Sequence, residues 1–211
     1  IIRATPKTTH AISSAASDVY KEQDTHIASQ DIDYERLRWE VEEIKLIPYM
    51  RVFLGGDLVD GFVWNPAQFA DIANLNEQDL YLHKMLEYMG YDKILGGVMG
   101  SHEKWSRRTG LDSYSDIRKN IPIFDGTGTV DLVITGLTYT GAILHEAKGN
   151  SYFNPNHAQK RFIMENEGYD FVMTAHTHAG AEQSQVRQTA KGSKKVVFLS
   201  GKTFKRTDDF L

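Results

Sequence analysis

Apolar residues recur at helical intervals in four segments of the chain, which predict helices over residues 32–47, 76–89, 112–119 and 156–167. The first helix would be capped by Asp31 or Asp33. Its apolar face would consist of Leu37, Val41, Ile44 and Ile47. The second helix would end at a C-terminal glycine, Gly90, and would turn four residues inward: Leu80, Met85, Leu86 and Met89.

Short apolar runs bounded by glycine, proline and polar residues predict strands between these helices. They cover residues 52–54, 93–99, 130–134, 139–144 and 169–174. Two further strands, 183–188 and 195–200, would form a hairpin through Lys191-Gly192-Ser193. Strands that alternate with helices and later predominate indicate the α/β class. The length of 211 residues suits a single domain over 1–211, with the polar segment 1–18 peripheral.

The composition is that of an ordinary soluble globular protein, with 41% hydrophobic residues and a formal net charge of −4. This charge argues against broad electrostatic capture of DNA. No apolar run approaches the ~20 residues of a membrane span, so we expect no membrane partner. The absence of cysteine fits a cytoplasmic protein and leaves oxygen and imidazole as the metal ligands. Pairing into a homodimer is left open.

Five of the eight histidines fall in predicted loops, close to glycines or acidic residues. The segments are Asp24-Thr25-His26, Gly55-Gly56-Asp57-Leu58-Val59-Asp60-Gly61, Gly100-Ser101-His102-Glu103, Leu144-His145-Glu146 and Ala175-His176-Thr177-His178. The carboxyl ends of strands in an open α/β sheet are where ligand-binding groups lie. His176 and His178 would point the same way on an extended segment and so reach one site. The other three are expected at the surface: His10, His83 and His157.

In this order the motifs resemble those of the calcineurin-like metallophosphoesterase superfamily, most closely its bacteriophage and DNA-repair-exonuclease-type members. The family pattern is Asp-x-His, Gly-Asp-x-x-Asp, Gly-Asn-His-Asp/Glu, a lone His and Gly-His-x-His. The resemblance extends from about Asp24 to Phe204. It implies a four-layer α/β/β/α sandwich of two mixed sheets flanked by helices. It also implies two divalent metal ions, with Mn²⁺ favoured and Fe, Ni or Zn as alternatives.

The resemblance also assigns roles to individual residues. Asp57 would bridge the two metals. The first metal would be completed by Asp24, His26 and His178, and the second by His145, His176 and Ser101, which stands where the family has asparagine. His102 would act on the phosphate as general acid or electrostatic clamp without binding metal. Asp60 would orient a ligand histidine.

Two arginines and two tryptophans near these motifs are candidates for substrate contacts. Arg107 or Arg108 would grip a phosphate through its guanidinium, and the alternative is a solvated loop. Trp64 and Trp105 would stack a nucleic-acid base, and the alternative is ordinary packing.

The implied function is hydrolysis of phosphodiesters, in nucleotides or nucleic-acid ends, by a metal-bridging hydroxide. Three departures from the family pattern keep other interpretations open: Ser101 for asparagine, Ala175 for glycine, and a weakly apolar segment before Asp24. Because a serine hydroxyl is a short and weak neutral ligand, the second metal would bind weakly, or a water would fill the gap. The alternatives are a catalytically impaired binding scaffold with the same fold, a mononuclear metal-binding module, and a chance match at Asp24-Thr25-His26.

Overall fold

The structure, a computed structural model, describes residues 22–61, 72–149, 151, 154, 156–178, 180–189 and 192–206. Four of the positions discussed above lie outside these ranges: the segment 1–18, His10, Trp64 and Lys191. Within the described residues the chain has the α/β character that the sequence predicts. It has four α-helices, a sheet of three parallel strands, a mixed sheet of five strands, and a separate strand pair.

The helices are α1 (Tyr34–Leu46), α2 (Leu75–Met89), α3 (Ser101–Arg107) and α4 (His157–Glu165). Helix α1 begins two residues later than predicted, and Asp33, one of the two predicted caps, accepts a hydrogen bond from the Arg36 amide at 3.1 Å. The prediction over 112–119 was wrong, since only a 3₁₀ turn, Ile117–Lys119, forms there. Helix α3 was not predicted, because its seven residues carry no apolar periodicity.

Ten short strands form the described sheets. They are β1 (Glu22–Asp24), β2 (Val52–Leu54), β3 (Ile94–Val98), β4 (Ile123–Phe124), β5 (Gly128–Ile134), β6 (Leu137–Leu144), β7 (Phe171–Thr174), β8 (Ala181–Thr189), β9 (Gly192–Ser200) and β10 (Lys202–Thr203). The orders are β2-β3-β4, all parallel, and β5-β6-β7-β9-β8, in which β6, β7 and β9 are parallel. The predicted hairpin is β8–β9, but the turn was misplaced, since Gly192 and Ser193 belong to β9 and pair with Thr189 and Gln188.

Of the weakly apolar segment before Asp24, the described residues Glu22 and Gln23 form a short strand with Asp24. Strand β1 pairs in parallel with β10 near the end of the described chain. Beyond β1, an isolated parallel bridge joins Ile27 to Val59, so the loops after β1 and β2 run side by side. This pairing brings the first two sequence motifs together.

Three apolar clusters hold the elements together. The largest joins the buried faces of α1 and α2 to β2 and β3, through residues such as Val41, Leu86 and Leu54. A second cluster lies between the two larger sheets and contains Phe53, Val98, Ile143, Met173 and Leu199. The third packs Ile163 of α4 against Val172 and Phe198 of the five-stranded sheet. These clusters fix the sheets relative to each other.

Helix α2 shows where periodicity misleads. Its capping box at Asn74 and its glycine end at Gly90 define the register. Leu86 and Met89 face the core as predicted, but Leu80 is 54% exposed, and Leu82 takes the buried position. The prediction for Leu80 was therefore wrong, because residues six apart lie on different faces of a helix.

Leu86 and Leu80 form a matched pair for testing this register. Leu86→Ala should lower the free energy of unfolding by about 2–5 kcal/mol, because it leaves a cavity in a fully buried site. Leu80→Ala, at an exposed site, should change it by no more than about 0.5 kcal/mol. Urea unfolding of both variants measures the difference. Equal losses would show that the described register of α2 is incorrect.

Candidate metal centre

The sequence motifs converge at the carboxyl ends of parallel strands from both larger sheets. Asp57 follows β2, His102 follows β3, His145 follows β6, and His176 follows β7. Asp24 ends β1, and its loop lies beside that of Asp57, with the His26 amide donating to the Asp57 carbonyl at 2.9 Å. Loops distant in sequence therefore meet in one place, as expected for an α/β protein.

Asp24, His26 and His178 form the first group of potential metal ligands. The two histidine Nε2 atoms are 3.3 Å apart, and His178 Nε2 lies 3.7 Å from Asp24 Oδ2. Asp24 and His26 are almost completely buried. The Asp24 carboxylate also accepts a hydrogen bond from the His176 amide at 2.6 Å, which ties this group to the second.

Asp57, His145 and His176 form the second group. His145 Nε2 lies 3.0 Å and His176 Nδ1 3.8 Å from Asp57 Oδ2. The His145 ring is oriented by the Gly55 carbonyl, 2.8 Å from its Nδ1. Because a carbonyl only accepts, Nδ1 carries the hydrogen when the ring is neutral, and the lone pair of Nε2 faces Asp57.

A third group, His26, Asp60 and His102, joins the first two. Asp60 Oδ1 lies 3.0 Å from His26 Nδ1, so Asp60 orients a candidate ligand histidine in the way the resemblance implies. The Nδ1 atom of His102 hydrogen-bonds the Asp60 carbonyl. Its Nε2 lies 4.0 Å from Asp57 Oδ2.

Ser101 lies at the second group. Its hydroxyl donates to the Asp57 carboxylate, with Oγ 3.2 and 3.3 Å from the two oxygens. The His102 amide donates to the same carboxylate at 2.9 Å. The serine that replaces the family's asparagine is thus in contact with the proposed bridging residue. The other substitution, Ala175, does not adopt a positive φ, so the position does not require glycine.

Two buried polar atoms in these groups make no hydrogen bond to described residues. One is Asp24 Oδ1, and the other is His145 Nε2, which lies near Asp57 without hydrogen-bond geometry. Such atoms are costly inside a protein unless a further partner satisfies them. A divalent cation bound by carboxylate oxygen and imidazole nitrogen would supply that partner in each group. The buried Asp and His groups could therefore hold a metal ion.

The pKa values of these side chains are shifted by burial and by the charged groups next to them. Burial and the nearby charge of Asp57 hold the pKa of Asp24 well above its usual range. Burial alone would raise the pKa of Asp57, but its contacts with His145 and His176 hold it well below its usual range. Burial lowers the pKa of His26 to about 4, despite its hydrogen bond to Asp60.

Glu103 is a buried residue of the centre whose role was not predicted. Its carboxylate accepts hydrogen bonds from the amides of Asp57 and Gly100 at 2.9 Å and of Leu58 at 2.6 Å. Burial and the charge of Asp57 raise its pKa to about 7. The only sequence signal for Glu103 was its place in the third motif. Its contacts with Asp57 and Leu58 could not be predicted, because those residues lie in a loop more than 40 positions away.

The backbone at the centre is strained and tightly packed. Four candidate ligands have a positive φ: His26, Asp57, His176 and His178. Such conformations cost about 1–3 kcal/mol each and cluster at functional sites. At Gly100, an added Cβ would lie 2.1 Å from an Asp57 carboxylate oxygen, so only glycine allows the loops to approach.

A cavity of about 320 Å³ opens beside the second group. It is lined by Ser101, His145, Lys104, Trp105 and Arg108, among others. The half-buried Trp105 ring also packs against His102, with the ring centroids 4.5 Å apart. The lining therefore combines two cations, Lys104 and Arg108, with the carboxylate of Glu146 and an aromatic surface.

The two candidate arginines differ in their surroundings. Arg108 lines the cavity, as a phosphate contact would require. Arg107 is paired with Asp112 at 3.3 Å and Asp125 at 3.4 Å, and it is absent from the cavity lining. Both lie in or at the end of helix α3, where an irregular loop was the alternative.

The remaining histidines with a description lie outside the centre. His157 is exposed, and His83 is half-buried beside Asp79 on α2. Neither belongs to the potential metal-ligand groups found among the described residues.

Comparison with known protein-family models and with curated proteins finds no match to this chain. Among the helices of the described residues, none combines the length and apolar character needed to cross a membrane.

His145 should give the metal-free protein a measurable pH dependence. Burial lowers its pKa, but the adjacent negative charge of the Asp57 carboxylate outweighs burial and raises it from 6.5 to about 9. The folded state therefore holds a proton that the unfolded state loses between these values. Stability from this proton is complete below pH 6.5 and is lost as the pH rises to 9, by an amount on the order of 3 kcal/mol.

Urea unfolding in the presence of a chelator, at pH 6.5 and 9, measures this loss. His145→Gln removes the titrating group, so the fall in stability over this interval should be smaller in the variant. Identical slopes in the two proteins would mean that the proton is not held at His145.

Proposed function

We propose that this protein is a dinuclear metal-dependent phosphoesterase that hydrolyses phosphodiesters. The observation that carries the proposal is the pair of buried three-ligand groups, Asp24/His26/His178 and Asp57/His145/His176, next to a cavity with cationic residues. The groups are connected through the His176 amide and the Asp24 carboxylate. Metal pairs that clamp a phosphate require this kind of arrangement.

The proposal includes the four-layer sandwich implied by the calcineurin-like resemblance. Three apolar clusters support it. One lies between the α1/α2 helices and the three-stranded sheet, one between the two larger sheets, and one between the five-stranded sheet and α4.

Two divalent cations, with Mn²⁺ favoured, would activate the attacking water and offset the charge on the phosphoryl oxygens. Asp57 is the proposed bridge, because its carboxylate contacts His145 while its backbone carbonyl accepts the His26 amide of the other group. The Ser101 hydroxyl and the His102 amide fix the carboxylate on its remaining sides. The chain thus orients Asp57 before any ligand arrives.

His102 is the proposed general acid. Its Nδ1 hydrogen is committed to the Asp60 carbonyl, which can only accept. A second proton on Nε2, the atom nearer Asp57, would then be available to the leaving oxygen. Trp105 packs on the ring and restricts its rotation.

The substrates favoured by the cavity are nucleotides or nucleic-acid ends. Arg108 and Lys104 are exposed cations on its lining, and neither has an ion-pair partner among the described residues. Trp105 supplies an aromatic surface on which a base can stack. A cavity of this size accommodates about one nucleotide unit.

Hydrolysis of bis(p-nitrophenyl) phosphate with added Mn²⁺ tests the activity. Asp57→Asn should abolish turnover, because it removes the proposed bridging charge. His102→Ala should lower kcat by ~10²–10⁴ if the imidazole is the general acid. Asp116→Asn and His157→Ala change exposed residues of the same types and should leave the rate unchanged.

Three outcomes would contradict parts of the proposal. A chain without turnover with any divalent metal would be the binding scaffold, and a chain that binds one metal with weak turnover would be the mononuclear module. Activity that survives Asp57→Asn would exclude the bridge.

Substitution of the two neighbouring arginines tests whether substrate binding needs a specific guanidinium contact or only positive charge near the cavity. With the p-nitrophenyl ester of thymidine 5′-phosphate, Arg108→Ala should raise KM by about tenfold, the effect of losing one charge-assisted hydrogen bond. Arg107→Ala removes the same charge from a guanidinium already paired with Asp112 and Asp125. Its KM should remain near that of the unmodified chain. Equal increases in both variants would indicate a general effect of charge.

A further inference from the structure

Lys205 is a buried cation beside the centre that belongs to none of the sequence motifs. Its side chain is 6% exposed, and its Nζ lies 3.5 Å from Asp60 Oδ1. The same carboxylate oxygen lies 3.0 Å from His26 Nδ1. The three side chains are therefore connected in series, from ammonium to carboxylate to imidazole, and the series ends at a candidate metal ligand.

The backbone around Lys205 is fixed on both sides. Residue 205 makes an isolated antiparallel bridge with Ile32. The preceding residues hold the Asp24 carbonyl, which accepts from the Thr203 hydroxyl at 3.1 Å and from the Phe204 amide at 3.2 Å. The segment 203–205 thus places the Lys205 ammonium beside Asp60 and also hydrogen-bonds the backbone carbonyl of Asp24.

We propose, on the basis of the function proposed above, that Lys205 is a positioning residue for the first metal group. Its charge keeps the Asp60 carboxylate in place, and Asp60 in turn accepts the His26 Nδ1 hydrogen. The His26 Nε2 lone pair then faces His178 and Asp24. Partners of this kind typically change metal affinity 10- to 100-fold when they are removed.

Lys205 also explains why the third group, His26/Asp60/His102, is not a third metal site. Its ammonium already occupies one side of Asp60 Oδ1, and His26 occupies another. A divalent cation at the same oxygen would be repelled by the ammonium. The third group therefore orients the His26 ring, and the Lys205 ammonium is the cation that lies beside it.

Mn²⁺ binding to single-site chains tests the proposal by calorimetry. His145→Gln leaves the first group intact, and His178→Gln leaves the second. Lys205→Met should weaken binding about 10- to 100-fold in the His145→Gln chain and leave it unchanged in the His178→Gln chain. Lys205→Arg should restore most of the affinity, because it keeps a cation near Asp60. Equal loss in both chains, or no loss in either, would overturn the proposal.

A double-mutant cycle with Asp60→Asn shows whether Lys205 acts through Asp60. In the His145→Gln chain, Lys205→Met should have little further effect once Asp60 is changed. Additive losses would overturn the proposed path. A third Mn²⁺ bound by the unmodified chain would overturn the exclusion argument.

If Lys205→Met fails to fold, nitrogen NMR of the metal-free unmodified chain tests the proposal, because it shows which ring nitrogen of His26 carries the hydrogen. His26 should carry its hydrogen on Nδ1, and His26→Gln assigns the signal. A hydrogen on Nε2 in the unmodified chain would overturn the proposal. Neither readout depends on hydrolysis, so a chain that binds metal without turnover would remove the proposed function and leave this inference standing.

Discussion

The centre depends on the hydrogen bonds that the buried Glu103 carboxylate accepts. The donors are backbone amides of the loop after β2 and of the start of α3, so Glu103 joins two motifs that lie more than 40 residues apart. Gly100 makes this contact feasible, because any larger residue would collide with Asp57. The position of Asp57 is thus determined by hydrogen bonds to its backbone as well as by its carboxylate.

Backbone strain is concentrated at the candidate ligands. Left-handed conformations, which residues other than glycine rarely adopt, occur at four of them: His26, Asp57, His176 and His178. They are held there by hydrogen bonds between loops, such as the His26 amide to the Asp57 carbonyl and the His176 amide to Asp24. The apolar clusters beneath the sheets offset the cost and leave the ligand geometry preformed.

Sequence patterns predicted the elements whose packing is local and regular. Helix α1 and the pairing of β8 with β9 were predicted from the sequence. The motifs predicted that the candidate ligands lie together, and the structure brings them into close groups. Helix α3 escaped prediction because its buried residues are His102, Glu103 and Ser106, all polar. Glu103 and Lys205 gain their roles only from tertiary contacts, which no periodicity records. Leu80 was misplaced because apolar character alone does not define a helical face.

Charge balance favours a cation-binding centre. Four carboxylates are each at most 2% exposed: Asp24, Asp57, Asp60 and Glu103. The three aspartates belong to the potential metal-ligand groups, and Glu103 accepts a hydrogen bond from the Asp57 amide. Burying several carboxylates together is unfavourable unless protons or cations neutralise them. Burial and the charge of Asp57 raise the pKa of Asp24, and the charge of Asp57 raises the pKa of His145, so both groups hold their protons to higher pH than they would in water. A divalent cation bound in these groups would displace such protons, and metal binding would therefore release protons and stabilise the fold together.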